Sequence, residues 1–398
     1  MMLRWLGVVL ALLAAPALAL PPASVAVAFD RSHSHPVLAE GEADRATHRL
    51  VSADDPVRIA SISKLVTALG VMRLVDAGKL DLDRDVSLYL GFTLRNPAFP
   101  DRVITLRLLL SHQSSLIDGD DLYIIPLGTT MQRRLTDPRV WDSAHAPGSH
   151  WFHYTNLNFP VIASAMEAAT GERFDVLMSR LVLKPLGLDA CFNWGAGCSS
   201  AAFNRAVVLY RASGEVAKDD LHGQVPLCPV VTGLDGNCDP SRYFPAENGA
   251  LFSPQGGLRI SMRDLAKVGQ MLARGGKGFL SPKAFAEMTR PQWRFDGTNG
   301  LGEDGTASGF FCAYGLAVQL IGAAGPGCHD DLFGDGTPRL GHAGNAYGLK
   351  SGLWLDPKTG KGLAFFTSAV ADDAPAGRSA FTSAEEAVVS RTMTPPPR

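Results

Sequence analysis

Positive charge is not in excess in this 398-residue chain. Its 37 Lys and Arg stand against 39 Asp and Glu, a formal net charge of −2. Without basic runs it lacks the electrostatic footprint that nucleic acid requires, which argues against nucleic acid as a partner. Past the first twenty residues, no apolar stretch is long enough to cross a bilayer. There is no C-x-x-C pair and no H-x-x-x-H cluster, so the usual zinc spacings are missing. There is also no G-x-S-x-G elbow and no H-E-x-x-H, which leaves the nucleophile-elbow and zincin chemistries without support. Internal repeats and an interdomain linker are likewise missing, so one domain over residues 20–398 is expected.

What is present begins with an N-terminal segment. Arg4, the apolar run Leu6 to Ala15 and Ala17-Leu18-Ala19 read as a secretory signal over residues 1–19. No cysteine follows that cleavage site, which argues against a lipid anchor. A periplasmic or secreted protein with no stable membrane anchor is therefore expected. Six cysteines, Cys191, Cys198, Cys228, Cys238, Cys312 and Cys328, suit such a compartment. Six allow about fifteen pairings. Three local pairs in chain order are expected, because each closes a Gly- or Pro-containing loop; zinc is the rival reading.

The chain is organised around Val57-Arg58-Ile59-Ala60-Ser61-Ile62-Ser63-Lys64. A helical run follows to Ala77 and closes at Gly78. Leu65, Leu69 and Met72 lie on one face, and Val66, Leu74 and Val75 add apolar surface elsewhere, so this helix is buried. Ser61 opens it and Lys64 lies one turn on, on the same face. A hydroxyl beside an amine, at a helix N-terminus that favours developing negative charge, suits nucleophilic catalysis. Burial would lower the lysine pKa and make its neutral form accessible. The plain alternative is a serine N-cap followed by a solvated lysine.

Strands are expected at Val25 to Phe29 and Val37 to Glu40, with His33, His35 and His48 on the surface. Thr105 caps a helix from Leu106 to Ser111. Tyr154-Thr155-Asn156 sits at a loop-to-helix junction before a helix from Leu157 to Thr170; a buried tyrosine beside an asparagine N-cap is the structural alternative. Residues 191–250 read as a Cys-rich excursion near the mouth of the site. A helix from Met262 to Arg274 is followed by strands at Tyr314 to Ile321, Leu340 to Asn345, Gly348 to Leu355 and Gly362 to Ala369. Ser383 with Glu386 marks a capping box for a last helix to Arg391, and Thr394 to Arg398 should be a disordered end.

Two stretches compete to face Ser61 from the C-terminal strands. Lys358-Thr359-Gly360 follows Asp356-Pro357 between two strands and reads as an exposed turn. His342-Ala343-Gly344 lies within a strand, where Gly344 would let a ligand's backbone approach closely. Gly300-Leu301-Gly302-Glu303-Asp304-Gly305 fits G-x-G-x-x-G, but its two acids would repel a pyrophosphate.

Ser61-x-x-Lys64, Tyr154-x-Asn156 and His342-x-Gly344, in that order, resemble the serine hydrolase superfamily of class C β-lactamases, D-alanyl-D-alanine carboxypeptidases and related esterases. Leu108 to His112, Lys184 to Leu188 and Gly256-Gly257-Leu258 support the resemblance, which spans residues 23–392. It implies an α/β (α+β) fold: an antiparallel sheet from both chain ends flanked by helices, with a mostly helical second lobe. On this sequence the sheet lobe would be 20–60 and 310–392, and the helical lobe 61–309. The resemblance also implies that Ser61 is acylated, Lys64 accepts its proton and Tyr154 passes the proton to the leaving group. Asn156 would hold a substrate carbonyl, with His342, Ala343 and Gly344 facing the cleft. The N–H groups of Ser61 and Asn345 would form the oxyanion hole. Whether Lys64 or Tyr154 is the base stays open. No cofactor or metal is expected.

The expected substrate is a small ester, amide or cell-wall peptide. Class C β-lactamases carry a lysine where this chain has His342, so a weaker, pH-dependent attraction for carboxylates is expected. That favours an esterase or D-amino-acid peptidase over a β-lactamase, or over a penicillin-binding protein with little turnover. Oligomeric state is not legible.

Overall fold

The computed structural model describes residues 22–302, 305–322 and 324–393. The expected signal over 1–19 and the expected disordered end at 394–398 lie outside the described residues.

Alternating apolar side chains in Ser24–Phe29 (β1) are buried on both faces, as a central strand requires. Ser34–Glu40 (β2) is half-exposed and forms the edge. The remaining strands come late in the chain: Trp293–Arg294 (β3), Ala313–Tyr314 (β4), Gln319–Ile321 (β5), Arg339–Ala346 (β6), Leu349–Leu355 (β7) and Gly362–Thr367 (β8). They form one antiparallel sheet in the order β3-β4-β5-β6-β7-β8-β1-β2, with β1 closing onto β8 by pairs such as Val25 with Phe366.

The helices that matter for the site are Ile62–Asp76 (α1), Leu106–Leu110 (α2), Asn158–Thr170 (α3), Met262–Ala273 (α4) and Ser383–Met393 (α5). α4 lies on one sheet face, so close that a Cβ on Gly269 would come within 2.3 Å of the Phe29 ring. α5 covers the other face, where Trp354, Phe365, Phe381, Val388 and Val389 pack together. α1 is buried along nearly its whole length against β6 and β7, and so carries Ser61 to the sheet. A short antiparallel sheet of Val57–Arg58, Leu258–Ile260 and Cys191–Phe192 holds the chain just before Ser61.

Several expectations need correction. The strand expected over Tyr314 to Ile321 is two strands, because the chain turns back between them: Gly315 N–H donates to Val318 O and Ala317 has φ +55°. β3 also lies outside the 310–392 span expected for the sheet lobe. The last helix is capped one residue early. Thr382 Oγ1 accepts from Glu385 N–H, and the Glu385 carboxylate accepts from Thr382 N–H. Glu386 instead receives the N–H groups of Arg378 and Ser379.

The cysteines pair locally as Cys191–Cys198, Cys228–Cys238 and Cys312–Cys328, which removes the zinc reading for them. Among the described residues, no helix is long and apolar enough to cross a membrane. His33, His35 and His48 are exposed.

Candidate active site

The turn into α1 is bent sharply. Ala60 adopts φ +49°, a left-handed conformation that costs an L-residue about 1–2 kcal/mol. Neighbouring bonds hold it: Ile59 N–H donates to Leu258 O at 3.1 Å, and Ser351 Oγ donates to Ile59 O at 3.0 Å. Ser61 then stands at the N-cap of α1, but its side chain makes no capping bond. Its Oγ instead lies 2.9 Å from Lys64 Nζ. The plain alternative for this pair, a serine cap and a solvated lysine, is not what the fold builds.

Lys64 is fully buried. Besides Ser61 Oγ, its Nζ meets Asn156 Oδ1 at 2.7 Å and Gln255 O at 3.1 Å. Both oxygens can only accept. They fix two N–H directions and leave the third tetrahedral position aimed at Ser61. In the neutral amine that position is the lone pair, so the same geometry serves a proton acceptor.

The Asn156 amide is anchored inside the protein. Its Oδ1 accepts from Lys64, and its Nδ2 donates to Asp118 Oδ2 at 2.9 Å. Asp118 also receives the N–H groups of Asn156 and Leu157, at 3.0 and 2.9 Å, at the start of α3. Burial pushes the Asp118 carboxyl up, against the N–H groups and the Lys64 charge, which favour its ionised form. Asn156 thus orients Lys64, a role beyond the expected one of holding a substrate carbonyl. It is not the N-cap of α3, since Leu157 holds that position.

Tyr154 is 3% exposed and sandwiched between His112, with ring centroids 4.5 Å apart, and Phe311, at 4.6 Å. Lys64 Nζ lies 4.8 Å from the centre of its ring. His112 Nδ1 accepts from Thr155 N–H at 3.0 Å, so its proton is on Nε2. Burial first, then the Lys64 charge, holds His112 far below the usual histidine range and keeps it neutral.

His342 does not present a cation to the cleft. It is 1% exposed, with Nδ1 2.6 Å from Ala343 O and Nε2 2.7 Å from the Tyr314 hydroxyl. A carbonyl only accepts, so Nδ1 carries the proton and Tyr314 donates to Nε2. Burial, and then the Lys64 charge, pushes the His342 pKa down to about 3. The expected pH-dependent attraction near neutrality is thus corrected: this ring is neutral throughout the physiological range. Gly344 also differs from expectation. A Cβ there would strike Ile59 O at 2.3 Å and Ser351 Oγ at 2.4 Å, so the glycine admits the Ser61 turn.

Ala343 N–H points away from β7, toward Gln319 Oε1 at 3.4 Å. Asn345 N–H, two residues on, points the same way by strand alternation. β5 pairs only as far as Gly341, so this direction opens into the cleft.

The cleft has a volume of about 440 Å³. Ser61, Tyr154 and His342 to Asn345 line one part, and Gly302, Ser308, Phe310 and Phe311 another. The Cys-rich excursion is not among the lining residues; the wall comes from the segment that ends at the Cys312–Cys328 bridge. The G-x-G-x-x-G stretch has a structural role here: Gly300–Leu301 pairs with Phe152–His153, and Tyr154 N–H donates to Leu301 O at 3.1 Å. Lys358 and Thr359 are exposed in the β7–β8 turn, where Arg31 donates to both carbonyls.

Asp118, His112, Gln255 and Tyr314 all serve this site, and residue patterns alone do not assign them a role. Asp118 stands in an acidic loop, Asp118-Gly119-Asp120-Asp121, that reads as a solvated turn.

The chain matches the family described as Beta-lactamase over residues 16–385. It is 30% identical over 325 residues to Esterase EstB of Burkholderia gladioli, covering 77% of this chain and 74% of the esterase. It is 30% identical over 142 residues to the D-alanyl-D-alanine-carboxypeptidase/endopeptidase AmpH of Escherichia coli (strain K12), 34% of this chain and 36% of that one. In fold it is similar to the D-amino acid amidase of Ochrobactrum anthropi SV3, at a TM-score of 0.63 and 20% identity over 94% of this chain and 93% of the amidase.

Proposed function

This chain is a serine hydrolase of the Beta-lactamase family, and we propose that it is exported and hydrolyses an ester or a D-amino-acid-type amide through an acyl-enzyme on Ser61. The observation that carries this reading is the Lys64 amine anchored on Asn156 Oδ1 and Gln255 O, with its third position, the lone pair of the neutral form, 2.9 Å from Ser61 Oγ. Ser61 Oγ attacks the substrate carbonyl carbon and forms a C–O bond, and its proton passes to Lys64 Nζ. The N–H groups of Ser61 and Asn345 receive the oxyanion. As the intermediate collapses, the bond to the leaving group breaks, and Tyr154 relays the proton from Lys64 to it. Water, deprotonated by the same pair, then cleaves the acyl ester and returns Ser61.

Phe310 and Phe311 give the cleft an apolar wall, which suits esters and amides with apolar acyl groups. The neutral His342 offers no cation beside the scissile bond, which counts against a β-lactamase. The three disulfides support export, since such bonds persist in oxidising compartments.

The test is steady-state hydrolysis of p-nitrophenyl butyrate, with a penicillin as second substrate. Turnover of the ester that falls on the order of 10⁴-fold in Ser61→Ala is the expected result. A mutant as active as the wild type would sink the reading. Rapid loss of the penicillin would favour the β-lactamase alternative.

A further inference from the structure

The cleft does not end at the nucleophile. It continues over β6 toward the start of α5, where Lys350, Thr382 and Glu385 line it. Strand alternation decides what reaches this end. His342 and Gly344 project to the α1 face, whereas Ala343 packs with Trp354 and Phe381 on the α5 face. Lys350 stands opposite Asn345 on the neighbouring strand, and shares the α5 face with Gly352 and Trp354. Its ammonium is thus separated from His342 by the thickness of the sheet.

Among the described residues the Lys350 side chain makes no hydrogen bond and no ion pair. The two acids that line the same cleft have other partners. Glu385 is 4% exposed and accepts from both the N–H and the Oγ1 of Thr382, at 2.9 and 2.7 Å, as the cap of α5. Burial pushes its carboxyl up, opposed in part by the field of Lys350. Asp372 pairs with Arg211 at 3.6 Å. No carboxylate of the described residues stands within ion-pair distance of the Lys350 ammonium, which therefore lines the cleft able to take one.

We infer that Lys350 receives a carboxylate at the far end of the substrate, set back from the scissile bond rather than beside it. The preferred substrates are then esters or amides that end in a free carboxylate several bonds from the reacting carbonyl. This rests on the proposed acyl-enzyme reading of the same cleft. It differs from recognition at the 342 position, where the ring is neutral.

Paired p-nitrophenyl esters of dicarboxylic acids test it, each with its second carboxyl either free or capped as a methyl ester, in chains of graded length. The wild type should favour the free acid in kcat/KM at one preferred length. Lys350→Gln should lower the acid-to-capped ratio by about tenfold, the scale of one charge-assisted hydrogen bond. Lys350→Arg should keep the preference, and Lys350→Glu should reverse it. A wild type indifferent to the carboxylate, or a ratio unmoved in Lys350→Gln, overturns the inference. Ser61→Ala run on the capped ester separates the two claims: if it remains active, the acyl-enzyme reading fails, whatever Lys350 does.

Discussion

Removing the Asn156 amide takes away one of the two fixed acceptors that aim Lys64 at Ser61. Asn156→Ala should therefore lower kcat on the order of 10²-fold, the cost of misplacing a catalytic group by about an ångström. An unchanged kcat in this variant would contradict the orienting role. A second prediction concerns His342. Its folded pKa is depressed to about 3 from the usual 6.5, so between these values the unfolded chain binds a proton that the folded chain does not. Its contribution to stability is thus complete above 6.5 and lost as pH falls toward 3. Between pH 8 and pH 5 that loss is on the order of 2 kcal/mol. His112, depressed in the same direction, adds to it. His342→Gln should show a smaller fall in melting temperature over that interval than the wild type, and an equal fall would contradict the assignment. Ser61 and Lys64 were legible in sequence because helical spacing alone puts them together. The partners of Lys64 were not, since Asn156 and Gln255 lie 92 and 191 residues away.

At the scale of elements, hydrophobic period found the buried α1, the central strand β1 and the strands β6 to β8, where burial on one or both faces leaves a strong pattern. It failed where a turn is made by residues without a turn signature. Gly315-Leu316-Ala317-Val318 continues the apolar run of its flanks, so the β4–β5 hairpin read as one strand. The cap of α5 was displaced because Ser383/Glu386 and Thr382/Glu385 satisfy the same spacing, and only tertiary contacts choose between them. Ser379 and Arg378 claim Glu386, leaving Glu385 to the helix. Thr382→Ala should accordingly cost about 1 kcal/mol of stability by urea unfolding. Ser383→Ala should cost only a few tenths. The reverse ranking would contradict the assigned cap.

Across the whole molecule, the two chain ends build one sheet and the middle supplies most of the helices. The nucleophile lies where α1 meets that sheet. Its position depends on contacts far apart in sequence: Ser351 with Ile59, Gln255 with Lys64, and Gly344 making room for the Ser61 turn. The Cys-rich excursion illustrates the limit of composition. Its glycines, prolines and cysteines announced loops, but not which loop walls the cleft, and that wall is formed by the residues before Cys312. An acyl-enzyme on Ser61 is tested most directly by the intact mass of the protein, acid-quenched within seconds of mixing with p-nitrophenyl butyrate. Acylation of Ser61 would add the mass of one butyryl group, located on the peptide that contains Ser61 and lost in Ser61→Ala. A butyryl group found on another residue, or equal labelling of the mutant, would contradict it.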